Sequence, residues 1–220
     1  MFKLSDHFIS QYQGKQPDWG FGDLSYFVYK RTYAREKENG QQEEYWETCQ
    51  RVVEGVFNIQ FKHCKQMGLE WNPQKAQATA QKMFQKVWEF KFLPPGRGLW
   101  LMGAPIVDKI GSAGLNNCGF ISTRDIHRSF SMPFCWAADM LMLGVGVGFD
   151  TKGAGKLTIH KPSLTLDPMV FTIPDTREGW VETVQLLLES YAKPDQARIA
   201  FEYHLIRKAG EPIHGFGGIA

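Results

Sequence analysis

Pro94-Pro95-Gly96 divides this chain of 220 residues into two stretches with different repeat patterns. Proline lacks an amide hydrogen and clashes with the preceding turn, so a proline pair before glycine stops any helix reaching it. On the N-terminal side the apolar residues recur with helical spacing. Tyr45, Cys49, Val52, Val53, Val56 and Phe57 sit at i, i+4, i+7, i+8 offsets, which align on one face and make Cys49 a core residue. Ala76, Ala80, Met83, Phe84, Val87 and Trp88 repeat the pattern after Asn72-Pro73, an N-cap with proline at the first helical position. A short loop holding Cys64 and Gly68 is expected between the two helices. Upstream, residues 1–43 are polar and aromatic, with turn signals at Trp19-Gly20-Phe21-Gly22-Asp23, and residues 36–44 read as solvated loop.

Beyond the prolines, short strand-like pieces alternate with helices. Residues 117–123 are an expected strand. Ser131 is expected to cap a helix with Pro133 in its first turn, and residues 134–143 are apolar on nearly all sides, which predicts burial. Residues 145–149 read as a strand crowded by glycines. Asp175 offers an N-cap with Glu178 at capping-box spacing, and Trp180, Val184, Leu187, Leu188 and Tyr191 form the expected core face. Ile199, Phe201, Tyr203 and Leu205 alternate as a strand would. The expected division is a mostly helical subdomain over residues 1–93 and an α/β region over 94–220.

The charge balance narrows the partners. Basic residues number 25 and acidic ones 23, so neither a nucleic-acid footprint nor a membrane-surface bias follows. No stretch approaches the roughly 18 apolar residues that span a bilayer, and the start lacks the apolar stretch of a signal peptide. The four cysteines are widely spaced with no C-x-x-C pattern, which argues against a disulfide scaffold or zinc site and makes a reducing cytoplasm the simplest compartment. The histidines show no ligand spacing, so no protein-bound metal site is expected.

Cys118 is the candidate for chemistry. In Gly114-Leu115-Asn116-Asn117-Cys118-Gly119 a lone thiol follows two side-chain amides, with glycine-rich turns on either side. That setting suits a redox or nucleophilic cysteine, although an isolated free cysteine is more often a buried structural residue. Asn116 and Asn117 can both donate to and accept from hydroxyls, which makes them candidate substrate contacts. Pro95-Gly96-Arg97 is a second candidate, because glycine lets a backbone N–H approach a phosphate or sugar; a plain helix stop accounts for the same residues. Arg97 suits a phosphate or a carboxylate equally. Gly144-Val145-Gly146-Val147-Gly148 is not a dinucleotide fingerprint: its spacing is G-x-G-x-G, and it follows a helix and enters a strand. Close packing at a strand explains it better.

A resemblance rests on segments that occur in one order. They are Lys30-Arg31-Thr32-Tyr33-Ala34-Arg35, Pro95-Gly96-Arg97-Gly98-Leu99-Trp100, Leu115-Asn116-Asn117-Cys118, Ser131-Met132-Pro133-Phe134, Gly146-Val147-Gly148-Phe149, Pro174-Asp175-Thr176-Arg177-Glu178-Gly179-Trp180-Val181 and His214-Gly215-Phe216-Gly217-Gly218. From about Trp19 to Ala220 the chain resembles the amino-terminal third of the adenosylcobalamin-dependent (class II) ribonucleoside-triphosphate reductases. The resemblance implies the α/β class: an N-terminal helical subdomain, then the first part of a ten-stranded α/β barrel, incomplete in this chain. It implies reduction of ribonucleoside triphosphates by thiyl-radical chemistry with adenosylcobalamin as cofactor. Cys118 matches the N-terminal member of the redox-active cysteine pair, the proton donor to the departing 2′-hydroxyl. The family's turn matching Pro95-Gly96-Arg97 and the residue before the cysteine lie along ribose and phosphates. Pro95 stands where the family has a small hydroxyl residue, which favours backbone over side-chain contact there.

Further partners follow from the same resemblance. They are a thioredoxin-like reductant, a deoxynucleotide effector and the C-terminal portion of the same reductase, without which the chain is expected to be inactive. Lys152, Gly153 and Lys156 match the effector-binding region, where a plain solvated loop is an equal reading. Gly217 and Gly218 belong to the loop that links effector and substrate sites in the family. The ending at Ala220 inside that loop is expected of the N-terminal piece of a split or intein-interrupted enzyme. A rival from another class is a non-catalytic fragment that binds nucleotide or complements the barrel. A stand-alone thiol oxidoreductase would need a resolving cysteine near Cys118, and none is there.

Overall fold

In a computed structural model that describes residues 1–37, 39–213 and 219–220, the chain forms two compact units. The first comprises Met1–Leu115 and the second Asn116–Ile213 with Ala220 and its neighbour Ile219. His214, Gly217 and Gly218 lie outside the described residues, as does Glu38.

The first unit is helical. Helices α1 (Asp6–Ile9) and α2 (Asp23–Thr32) precede α3 (Tyr45–Met67), α4 (Pro73–Trp88), α5 (Gly96–Leu101), α6 (Pro105–Ile110) and a 3-10 turn over Gly111–Leu115. The two stripes form the core as expected: Tyr45, Cys49, Val53 and Phe57 of α3 bury against Ala76, Ala80, Phe84 and Val87 of α4. Asn72 caps α4, its side-chain oxygen accepting the Lys75 N–H at 2.9 Å. Cys64 is not in a loop; α3 runs through it and ends at Gly68, whose left-handed φ of 66° lets its N–H reach the Cys64 carbonyl. The aromatic N-terminal region contributes Phe2, Phe8 and Tyr29 to this core. α2 has Asp23 in its first turn and Lys30 and Arg31 in its last, favourable at the two ends of its dipole.

Residues 36–44 are not a uniformly solvated loop. Glu43 is only 7% exposed. Its carboxylate accepts from Arg51 Nε at 2.6 Å, Arg51 Nη2 at 2.9 Å and the Thr48 hydroxyl at 2.7 Å. Arg51 in turn donates to the carbonyls of Leu99 and Met102 at 2.8 and 2.5 Å, tying α3 to α5 and its C-terminal turn. The change of pattern at Pro94 therefore falls inside the first unit, because the segment through Leu115 is bonded back to α3.

The second unit consists of two βαβ segments. Strand β1 (Cys118–Ile121), helix α7 (Met132–Met142) and strand β2 (Gly146–Phe149) form the first; β3 (Met169–Thr172), α8 (Arg177–Glu189) and β4 (Ile199–Glu202) form the second. Both strand pairs are parallel, Cys118 opposite Gly146 in one and Met169 opposite Ile199 in the other. The helices lie where the periodicity predicts, and α7 packs on α8. Two details depart from expectation. The helix over 134–143 is half-exposed, with Phe134, Leu141 and Met142 open on one flank, because its other flank alone meets α8 and the strands. The α8 stripe is likewise open at Trp180, Leu187 and Tyr191.

The caps also differ. Thr176, not Asp175, caps α8, its hydroxyl accepting the Gly179 N–H at 3.0 Å, while Asp175 is held by Arg207 at 2.6 Å and Glu178 pairs with Arg177. Ser131 precedes α7 but makes no capping bond to that helix; its hydroxyl donates to Glu189 of α8 at 2.5 Å. The alternation at 199–205 yields a strand only to Glu202, after which the chain turns. Among the described residues no helix is long and apolar enough to cross a membrane.

Candidate functional site

Cys118 opens β1, with its thiol exposed. Asn116 and Asn117 before it are exposed as well. The Asn117 carbonyl accepts the Gly146 N–H at 2.9 Å, so the pairing with β2 begins one residue ahead of the cysteine. Gly146 leaves the thiol uncrowded: a Cβ placed there would stand 4.0 Å from Sγ. Gly119 is glycine for a different reason. A Cβ there would come within 2.9 Å of the Trp136 ring of α7, so that ring would have to shift to admit one.

The other ends of β1 and β2 are clamped by Asp150. Its carboxylate accepts from the Ser122 hydroxyl at 2.8 Å and from the Thr123 N–H and hydroxyl, each at 3.0 Å. Burial alone would raise this carboxyl, but those bonds, with the Lys152 N–H, hold it well below the usual carboxylate range. The Gly153 N–H donates to the Thr123 hydroxyl at 2.9 Å, and Gly153 packs against the Thr123 backbone and Ile126. Thus Gly153 is buried within a tight turn. Lys156 Nζ donates to the Arg124 carbonyl at 2.8 Å, and Lys152 Nζ stands 3.8 Å from Asp150. Both ammonium groups stay at the surface.

The remaining thiols divide by burial. Cys49 is fully enclosed, and burial pushes its thiol far up. Cys135, half-buried on α7 near Glu189, is raised by burial too. Neither environment favours a thiolate nucleophile.

Pro95, Gly96 and Arg97 belong to the first unit, at the start of α5. Arg97 Nη1 donates to the Gly114 carbonyl at 3.3 Å. The space beside the Gly96 Cα is occupied. A Cβ there would stand 3.1 Å from Tyr33 Cε1 and 3.3 Å from its phenol oxygen. Tyr33 follows α2, where its backbone N–H bonds the Tyr29 carbonyl. Sequence reading missed both Tyr33 and Asp150 as individual positions. Tyr33 lies within Lys30–Arg35, one of the segments that carried the resemblance, and an aspartate closing a glycine-rich strand could have signalled the clamp.

Two family models match the chain. One described as "Ribonucleotide reductase alpha domain" matches residues 4–104, and one described as "B12-dependent ribonucleotide reductase, insertion domain" matches residues 151–220. The probable adenosylcobalamin-dependent ribonucleoside-triphosphate reductase of Dictyostelium discoideum is 47% identical over 99% of this chain and 31% of its own length. The enzyme of that name from Euglena gracilis is 45% identical over 99% of this chain and 30% of its length. A crystal structure of a B12-dependent (class II) ribonucleotide reductase superposes with a TM-score of 0.75 at 29% identity, covering all of this chain and 37% of that one. The chain spans about a third of the length of the relatives it matches. It belongs to the adenosylcobalamin-dependent (class II) ribonucleoside-triphosphate reductase family and corresponds to the N-terminal portion of its members.

Proposed function

We propose that this chain is the part of a ribonucleoside-triphosphate reductase that supplies Cys118, one thiol of a redox-active pair. The observation that carries this reading is the exposed thiol heading β1, beside Asn116 and Asn117, within the Leu115-Asn116-Asn117-Cys118 segment that resembles the family's motif. A thiol sealed among apolar side chains could meet no substrate. The net reaction exchanges the 2′-hydroxyl of a ribonucleotide for hydrogen. The hydroxyl leaves as water, and two thiols give up two electrons and two protons to become a disulfide. Cys118 is the proton donor to that hydroxyl and half of the disulfide, and its partner cysteine belongs to the length of the family's enzyme beyond this match. The chain by itself is then inactive, and a thioredoxin-like dithiol restores the pair.

Adenosylcobalamin, when bound, supplies radical chemistry that side chains alone do not. Among the described residues no His, Cys, Asp and Glu side chains cluster as metal ligands. Pro95, Gly96 and Arg97 with Asn116 and Asn117 are the substrate-contact candidates. The exposed ammoniums of Lys152 and Lys156 remain candidates for a deoxynucleotide effector, in a segment that matches the B12-dependent insertion-domain model. The buried Gly153 contributes to that loop's shape. The parallel β1–β2 pair, with Phe120 62% and Phe149 70% exposed, suits the start of the ten-stranded barrel.

The test is Cys118→Ser in the complete enzyme, with adenosylcobalamin and a chemical dithiol present. Loss of deoxynucleotide formation with retained ribonucleoside-triphosphate binding is expected. Turnover at the wild-type rate would overturn the reading.

A further inference from the structure

The stretches on either side of residues 214–218 are paired with each other and fastened to α8. Pro212 and Ile219 form an antiparallel bridge. The Gly210 N–H donates to the Ala220 carbonyl at 3.0 Å, and the Ala220 N–H donates to the Glu211 carbonyl at 2.9 Å. Arg207 does the fastening, with its guanidinium spread over three acceptors. Nη1 donates to the Pro212 carbonyl at 3.0 Å, Nε to the Asp175 carboxylate at 2.6 Å and Nη2 to the Asp175 carbonyl at 3.3 Å. A planar guanidinium fixes direction as well as distance, which a single ammonium does not.

A second arginine carries the connection onward. Asp175 directly precedes Thr176, the cap of α8, and Arg177 at the start of that helix pairs with Asp139 of α7. The four side chains of these two ion pairs are between 22% and 27% exposed, so solvent screens them only in part. α7 in turn lies on β1 through Trp136 and Gly119, the residue after Cys118. The β1-α7-β2 segment has Cys118 at one end of its strand pair and the loop over 152–156 at the other. Arg207, Asp175, Arg177 and Asp139 therefore form a polar chain. It runs from the paired flanks, 210–212 and 219–220, to the segment that bears both the proposed thiol and the candidate effector loop.

We infer that Arg207 is a positioning residue that couples a bound deoxynucleotide effector to substrate affinity, by fixing the flanks of Gly217-Gly218 to the helix pair α7–α8. The inference rests on the reductase reading above, with its effector at the loop over 152–156. Arg207 touches no reacting atom and makes no bond to the substrate.

The test measures KM for a ribonucleoside triphosphate in the complete enzyme, with and without each of the four deoxyribonucleoside triphosphates. The largest change in the wild type is expected to be about fivefold or more. Arg207→Met removes all three hydrogen bonds. Arg207→Lys keeps a charge opposite Asp175 but cannot also reach Pro212 in fork geometry. In both variants the change is expected to fall below about twofold, with kcat and the effector-free KM within about twofold of wild type. A merely structural contact would lower stability or turnover and leave the effector response alone. A wild-type response in Arg207→Lys overturns the inference, whatever Arg207→Met does. Cys118→Ser is measured alongside. Turnover by Cys118→Ser, or a wild type indifferent to all four deoxynucleotides, sinks the reading on which the inference rests. A responsive wild type with an equally responsive Arg207→Lys reassigns Arg207 alone.

Discussion

Replacing Glu43 with glutamine tests the central electrostatic contact of the helical unit. The carboxylate and the Arg51 guanidinium are held in fork geometry at 2.6 and 2.9 Å, with side chains only 10% and 14% exposed. Glu43→Gln preserves the shape, removes the negative charge and replaces one acceptor oxygen by a donor. Arg51 then keeps the Leu99 and Met102 carbonyls but loses its counter-ion in a poorly hydrated place. Breaking one side of a buried pair costs about 3–5 kcal/mol. The lower end applies here because two carbonyls still receive the guanidinium, so a loss of about 3 kcal/mol is expected. In a protein of this size that lowers the melting temperature by roughly 6–12 °C.

Arg51→Met alone leaves the carboxylate stranded and should cost a similar amount. The double variant removes both charges and puts an apolar chain in the gap, an exchange often close to neutral. It should therefore be more stable than the sum of the single losses by about 2 kcal/mol or more. Urea denaturation followed by tryptophan fluorescence reads the cycle, since Trp19, Trp46 and Trp88 pack on this unit's core. Strict additivity, or a Glu43→Gln loss below about 1 kcal/mol, would refute the claim that this pair is a desolvated contact and not an ordinary surface bridge.

Two further predictions concern the second unit and the thiols. The Asp150 carboxyl is depressed in the folded state, so its contribution to stability is complete above the unfolded carboxylate range and fades as pH falls from about 4 toward the lower folded value. Asp150→Asn should lose stability at neutral pH and lack that acid-side slope; melting curves between pH 3 and pH 7 that keep the wild-type slope would remove Asp150 as its source. Alkylation with iodoacetamide followed by peptide mass mapping should modify Cys118 early and Cys49 only after denaturation, because one thiol is exposed and the other is enclosed and raised by burial. Labelling of Cys49 ahead of Cys118 would contradict both placements.

The parts that could be read from the amino acids are those whose partners lie close along the chain. The α3 and α4 stripes face one another across the short connection at Gly68, so periodicity alone identifies their buried residues. Asn72-Pro73 is likewise settled within one turn. The Gly-rich β2 segment reads correctly as a close-packed strand because its pattern cannot be a phosphate loop, and Gly148 does lie near Phe120 of β1.

The misreadings share one cause. Asp175 and Thr176 are both competent caps, and the choice between them is made by Arg207, distant in sequence and bonded to Asp175. Ser131 has the right position to cap α7 but is drawn to Glu189 of another helix. Glu43 sits in a run of charged and amide residues that reads as solvated, and a single arginine on α3 brings it inside. Apolar content on α7 and α8 states which faces avoid water, not which are covered by the described residues of their own unit.

The candidate site follows the same rule with a different weight. Exposure of Cys118 is a local consequence of heading a short strand after two polar amides. Gly96 is the instructive contrast. From its neighbours it reads as a place where a ligand approaches the backbone, but the approach is taken by an aromatic ring from the end of α2. A glycine reports that something comes close; only the fold says what. In this chain it is the Tyr33 ring, so Gly96 marks close packing between the end of α2 and the start of α5. That packing ties Lys30–Arg35, a segment whose role periodicity leaves open, to the turn at Pro95.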